Sequence, residues 1–229
     1  MSNGAPVRAL ALRVTRTDAC GAPVAEATAK SRITTGGFIG VSLAPDIFTT
    51  NDIQVAAASG AICVRSKGVP SLLGYEVTIT LCDFNESILE MLLASSVLSD
   101  YTTPVEQVGG VISSDGTYHP NTVVVEWWSE NAKNDACATG GANPKRPYLH
   151  YVLPRVNRWV PDGNLDFGNS ETTMQLKGYA QPTKAFAKVR AVDTWTAADL
   201  TSLNASGLLG WREVQQAALP ATNANGYDL

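Results

Sequence analysis

The chain has 229 residues, 45% of them hydrophobic and 17% charged, with a formal net charge of −4. That length suits one substantial domain, and so few charges, against about a quarter of residues in an ordinary protein, point to a surface partly covered by neighbours. The acidic balance argues against a protein that grips nucleic acid, which would present a basic face, although an acidic wall lets DNA pass without sticking.

No run approaches about 18 consecutive apolar residues, so no membrane span is expected. Met1-Ser2-Asn3-Gly4 lacks the basic start and apolar core of a secretion signal, and none is expected.

From Val7 to Thr17 the residues alternate, Leu10, Leu12 and Val14 on one side and Ala9, Ala11 and Arg13 on the other. Period two predicts a strand with one buried face, ended by Asp18-Ala19-Cys20-Gly21. Residues 31 to 57 read as an extended excursion, with a turn or bulge at Gly36-Gly37 and a short strand at Val41-Ser42-Leu43. Asp52 to Ala58 and Ala61 to Arg65 read as strands flanking Ser59-Gly60, and Gly74 to Cys82 as a clearer one, its Tyr75, Val77, Ile79 and Leu81 alternating with polar residues.

Residues 83 to 95 switch to helical spacing. Asp83 and Glu86 resemble a capping box, and Ile88, Leu89, Leu92 and Leu93 form a stripe suited to packing on a sheet. Val97 to Pro120 reads as a weak strand with loops, Thr122 to Ser129 as a strong strand, and Asn131 to Pro147 as a long loop. Tyr148 to Val160, Thr172 to Tyr179 and Ala185 to Val192 are further strand-like runs. Leu200 to Trp211 reads as a short helix or strand within an extension from 197 to 229, whose last stretch, Ala221 to Leu229, is expected to be flexible. Such a pattern is mainly β, favouring a sandwich or barrel with one helix.

Catalytic and binding motifs are missing from the sequence. There is no GxxxxGK[ST], no GxGxxG after a strand, no HExxH and no GxSxG. The cysteines Cys20, Cys63, Cys82 and Cys137 form no CxxC pair, and the histidines are His119 and His150 alone, so neither metal nor cofactor is expected. The cysteines read as small buried apolar groups, Cys82 best of all because it ends an apolar run. His150 reads as a hydrogen-bonded structural histidine, and His119, beside Pro120, as solvated. The acidic pairs Asp162 with Asp166 and Glu126 with Glu130 read as turn caps and solvated surface. Trp127-Trp128 puts one indole on each face of its strand. One is expected in the core and the other at a subunit contact, where tryptophan is enriched.

Several stretches in order resemble the major tail proteins, or tail tube proteins, of siphophages of actinobacteria. They are Val7 to Val24 (VRALALRVTRTDACGAPV), Gly60 to Val64 (GAICV) and Leu73 to Asp83 (LGYEVTITLCD) leading into the helix. Val124 to Ser129 (VVEWWS), Tyr148 to Pro154 (YLHYVLP) and Gly168 to Gly178 (GNSETTMQLKG) are similar to the second half of that family. The likeness spans residues 7 to 195 and rests on the order of short patterns.

The resemblance implies a non-enzymatic virion protein with a mainly β, tail-tube-like β-sandwich or barrel, one flanking helix, long loops and terminal arms. In this sequence that is a single tail tube domain over 1–229. It has an N-terminal arm at 1–6, an extended inter-ring loop at 31–57, a flanking helix at 83–95 and a C-terminal extension at 197–229. Subunits are expected to form hexameric rings stacked into a tube. DNA and the tape-measure protein would occupy its lumen without specific binding, and tail terminator and distal tail proteins would close its ends. The particle would assemble in the bacterial host cytoplasm, with no membrane partner. Phe38, Ile47, Phe48 and Trp128 are the expected inter-subunit contacts. Competing readings are a tail terminator or distal tail ring protein and, further off, a carbohydrate- or receptor-binding β-sandwich.

Overall fold

Alternating residues near the N-terminus build the first strand, β1 (Pro6–Thr17). Proline is tolerated at its first position, where no ladder bond is lost. The computed structural model describes residues 6–17, 31–60, 62–82, 86–93, 96–100, 106–111, 122–131, 147–163, 173–182 and 209–214. Among these the chain is mainly β, with antiparallel sheets and one helix.

Next come β2 (Arg32–Thr35), β3 (Phe38–Thr49), β4 (Ile53–Ala56), β5 (Ile62–Ser66) and β6 (Pro70–Leu81). The helix α1 (Glu86–Leu93) follows, then β7 (Ser96–Asp100), β8 (Glu106–Val111), β9 (Thr122–Asn131), β10 (Tyr148–Asp162), β11 (Met174–Ala180) and β12 (Gly210–Val214). The main sheet runs β2-β1-β9-β10-β11-β6-β3, with β12 on the first half of β10. The path does not close on itself. β4 pairs with β5, and β7 with β8, as separate two-stranded sheets.

The core lies on one side of the main sheet, where Leu12, Val125, Leu153, Ile79 and Leu176 pack with Ile88 and Leu92 of α1. The helix falls within its predicted span of 83–95, of which residues 86–93 are described. Its stripe is the predicted one, for Ile88, Leu89 and Leu92 are buried and Leu93 half-buried. The capping residue Asp83 lies outside the described residues.

Breaks in the ladders have visible causes. In β1 the pairing with β9 shifts between Ala9 and Ala11. Ala9 therefore packs with the main core while Ala11 packs on Trp128, although strict alternation predicts one side for both. In β10, Pro154 has no amide hydrogen to offer, and the ladder to β9 skips from Leu153 to Val156. A second irregularity falls between Asn157 and Val160, where Arg158 adopts φ 58°, a left-handed conformation that costs a non-glycine residue about 1 kcal/mol. This bulge keeps Arg158 exposed while its neighbour Trp159 is buried against Gly178.

A Cβ at Gly178 would stand 2.9 Å from the Trp159 ring. Gly178→Ala should therefore force the indole or the strand to move, at about 1–3 kcal/mol. A melting temperature several degrees below wild type in a thermal scan is the expected outcome.

The excursion at 31–57 is strand rather than loop: β2, β3 and β4 occupy most of it. β6 supplies a ladder partner for every residue of β3 except Ile39, where the register shifts, and a local reading cannot see that distant partner. Pro45 is accommodated because β3 is an edge of the sheet. Within the C-terminal extension, β12 joins the sheet by pairing Tyr148–Val152 with Gly210–Val214. The N-terminal arm, apart from Pro6, and the strand-like run at 185–192 lie outside the described residues.

Candidate functional site: an exposed apolar arm and a buried ionic cluster

β3 and β6 are each 12 residues long, but only their inner halves belong to the body. Val77, Ile79 and Leu81 of β6 are buried with Phe38, and Val41 and Leu43 of β3 pack beside them. Beyond Pro45 and Gly74 the hairpin leaves the body. Residues 47–56 are exposed throughout, as are 62–67 and 69–73. Of the twelve large hydrophobic residues exposed among the described residues, nine lie between Ile47 and Leu73. Ile47 and Phe48 are 56% and 54% exposed. Covering the exposed half of each such side chain would contribute on the order of 1 kcal/mol apiece. A patch of this kind marks an interaction surface far more often than chance.

The end of the arm is the β4–β5 hairpin, closed by a turn in which the Gly60 amide donates to the Ala57 carbonyl at 2.8 Å with Gly60 at φ 82°. These are the two strands expected on either side of Ser59-Gly60, here paired with each other. Ile53, Val55 and Val64 share one face, with Val55 opposite Val64, while a register shift sets Ile62 opposite Ala56, and every residue of both strands is exposed. A two-stranded hairpin of this size is marginal in water by itself.

At its shoulder the arm is braced. Gly74 lies so close to β11 that a Cβ would come within 2.5 Å of the Ala180 carbonyl and 2.8 Å of the Tyr179 ring. The Tyr179 hydroxyl donates to Asp46 Oδ2 at 2.6 Å, and the Arg158 guanidinium sits 5.8 Å from the same ring. The hydrogen bond to Asp46, then burial, raise the Tyr179 phenol above its ordinary 10.0. A raised folded value means the bond contributes fully below pH 10 and is lost as pH climbs through the raised value. The stability difference between wild type and Tyr179→Phe should thus be constant up to about pH 10 and shrink above it, as read by denaturant titrations at several pH values.

The second feature is internal. Residues 122–129 of β9 are buried on both faces. On one face Trp127 stacks on Tyr151 at 5.0 Å. On the other, Trp128 stacks on His150 at 4.2 Å, with the Arg13 guanidinium 5.0 Å from the indole. Arg13 Nε donates to Glu126 Oε2 at 2.7 Å and its Nη2 to Oε1 at 2.9 Å, while His150 Nε2 lies 3.1 Å from Oε1. Both carboxylate oxygens are thereby engaged, and solvent reaches neither Glu126 nor His150. An arrangement closed on itself in this way holds three strands together and presents nothing to a solute.

Four expectations need correction. Phe38 and Trp128, expected at subunit contacts, are buried within this chain, at 7% and 1% exposure. Phe38 sits opposite Leu81 at the inner end of its ladder, and Trp128 is enclosed by Ala11, Tyr148 and His150. Glu126 is no solvated acid: it is wholly buried by pairing with Arg13 across the β1–β9 ladder. Its supposed companion Glu130 is exposed, 3.5 Å from Arg8. Cys82 is exposed, as is Cys63, because the inward position at the end of β6 belongs to Leu81 and alternation turns the next residue out. His150 is the hydrogen-bonded structural histidine expected. His119, Cys20, Cys137 and Asp166 lie outside the described residues.

Among the described residues no three of His, Cys, Asp and Glu converge as metal ligands, and no helix is long and apolar enough to cross a membrane. No protein-family model and no curated protein matches the sequence.

Proposed function

We propose that the protein is a structural subunit that assembles with copies of itself, and specifically a tail tube protein of a tailed bacteriophage. The single observation that carries this reading is the arm of β3 to β6. Among the described residues it holds most of the exposed large hydrophobic side chains, on strands whose outer edges find no partner there, while the Arg13, Glu126 and His150 cluster is sealed inside. Unpaired strand edges template pairing with another chain, and cyclic symmetry satisfies them without leaving a free end.

The order of short sequence patterns shared with major tail proteins supports the same reading, as does the low charged fraction of 17%. In this proposal the open main sheet becomes part of a sandwich or barrel completed between subunits. Six subunits form a ring, and rings stack around a channel carrying DNA and the tape-measure protein. No catalytic step is assigned to any residue, and the protein works in the virion tail.

Negative-stain electron microscopy of the purified chain across a concentration series tests this. Hollow tubes or stacked rings with a pore are the expected result. Single rings that never stack would replace it with a terminator or distal tail protein. A monomer at every concentration that binds glycans would replace it with a receptor-binding module.

A further inference from the structure

The arm is not one continuous ladder. Stem pairing ends at Thr49 opposite Pro70, and tip pairing begins at Ile53 opposite Ser66. Between them, residues 50–52 and 67–69 form no rungs. Two side chains take over: the Gly68 amide donates to Asp52 Oδ1 at 2.7 Å, and the Val69 amide donates to Thr50 Oγ1 at 3.0 Å. The strands approach so closely here that a Cβ on Gly68 would lie 1.7 Å from the Thr50 carbonyl oxygen and 2.8 Å from its carbon. That neighbour is backbone, so no rotamer change relieves the clash.

We propose that Thr50, Asp52 and Gly68 form an elbow, a positioning device that fixes the direction in which the β4–β5 tip presents Ile53, Val55 and Val64 to a second copy of this chain. A regular ladder would carry the stem's direction straight into the tip. A break would let the tip swing, and every configuration lost on docking would weaken association. Side-chain acceptors on one strand, and a glycine on the other that permits close approach, give a junction where the ladder is interrupted yet the strands stay held. The partner assignment rests on the self-assembly reading above, whereas the elbow itself does not.

The test uses the full chain at a concentration where it is monomeric. Backbone order parameters for residues 53–66 are measured by NMR in wild type, Asp52→Ala, Asp52→Asn and Gly68→Ala. In the wild type these amides should be as rigid as those of the stem, near about 0.85. In Asp52→Ala and Gly68→Ala they should fall below about 0.6, with residues 75–81 unchanged. Asp52→Asn keeps an acceptor oxygen and should restore the wild-type values. In the concentration series, the two loosened variants should need at least about tenfold more protein to assemble, a difference of about 1.4 kcal/mol. Unchanged tip order in both loosened variants would overturn the elbow. A loosened tip with wild-type assembly would overturn its positioning role. A wild-type chain that never assembles would sink the self-assembly reading and with it the partner, while the order parameters still decide the elbow.

Discussion

Replacing Glu126 by alanine should cost about 3–5 kcal/mol of folding stability, because it strands a buried guanidinium and a buried imidazole without their shared anion. Domains are stable by only about 5–15 kcal/mol, so a loss of this size brings the variant close to unfolding at physiological temperature. Arg13→Ala should be nearly as damaging, for it leaves the carboxylate with only the His150 contact of 3.1 Å. Arg13→Met combined with Glu126→Leu should recover much of the loss, since well-packed apolar groups often replace a buried ion pair at little cost. Urea titrations of the three variants check this. A Glu126→Ala midpoint indistinguishable from wild type would show that the pair contributes no net stability. The double variant matters because it separates loss of the interaction from the cost of an uncompensated charge.

The second large effect is on association. Ile47→Asp with Phe48→Asp should leave folding almost untouched, because both side chains are more than half exposed and surface substitutions usually stay within about 0.5 kcal/mol. Assembly should fare very differently. Losing the remaining burial of two apolar groups, at about 1 kcal/mol each, and bringing charges into a drying contact should raise the assembly concentration about a hundredfold or more. Val160→Asp is the matched control: Val160 is 46% exposed but lies on β10, away from the arm. Sedimentation across a concentration series gives the answer. If the arm variant assembles as readily as the control, the arm is not the contact surface.

The strands with the plainest alternation, β1, β6, β9, β10 and β11, were legible in the sequence because each has a buried face and period two is a local property. The two strands of the tip were legible too, on either side of Ser59-Gly60, though not their pairing. What escaped was set by distant partners. Arg13 and Glu126 are 113 positions apart, so an acid inside the apolar run VVVEWW looked like a surface residue when it was half of a buried pair. The two tryptophans announced two covered faces, but alternation cannot say whether a neighbouring subunit or the same chain covers the second one. Phe38 and Phe48 belong to one strand and met opposite fates, because β3 leaves the body near Pro45. That exit depends on where β6 and β11 stop packing, not on anything near the phenylalanines. The bulge at Arg158 likewise follows from fitting Trp159 over Gly178, a contact between strands.

The pairing of β1 with β9 also bears on how the protein is made. Thr17 meets Thr122, 105 residues later in the chain. At about 5–20 residues per second of synthesis, the first strand waits on the order of 5–20 seconds before its partner leaves the ribosome. During that interval, among the described strands, only the four-residue β2 can pair with it. The long β3–β6 hairpin, by contrast, has both strands in hand by residue 81 and can zip locally, which is the faster kind of event. The nascent protein therefore completes its arm first and its body last. It exposes apolar edges at both ends before the central strands arrive, which makes the growing chain the stage most open to premature association.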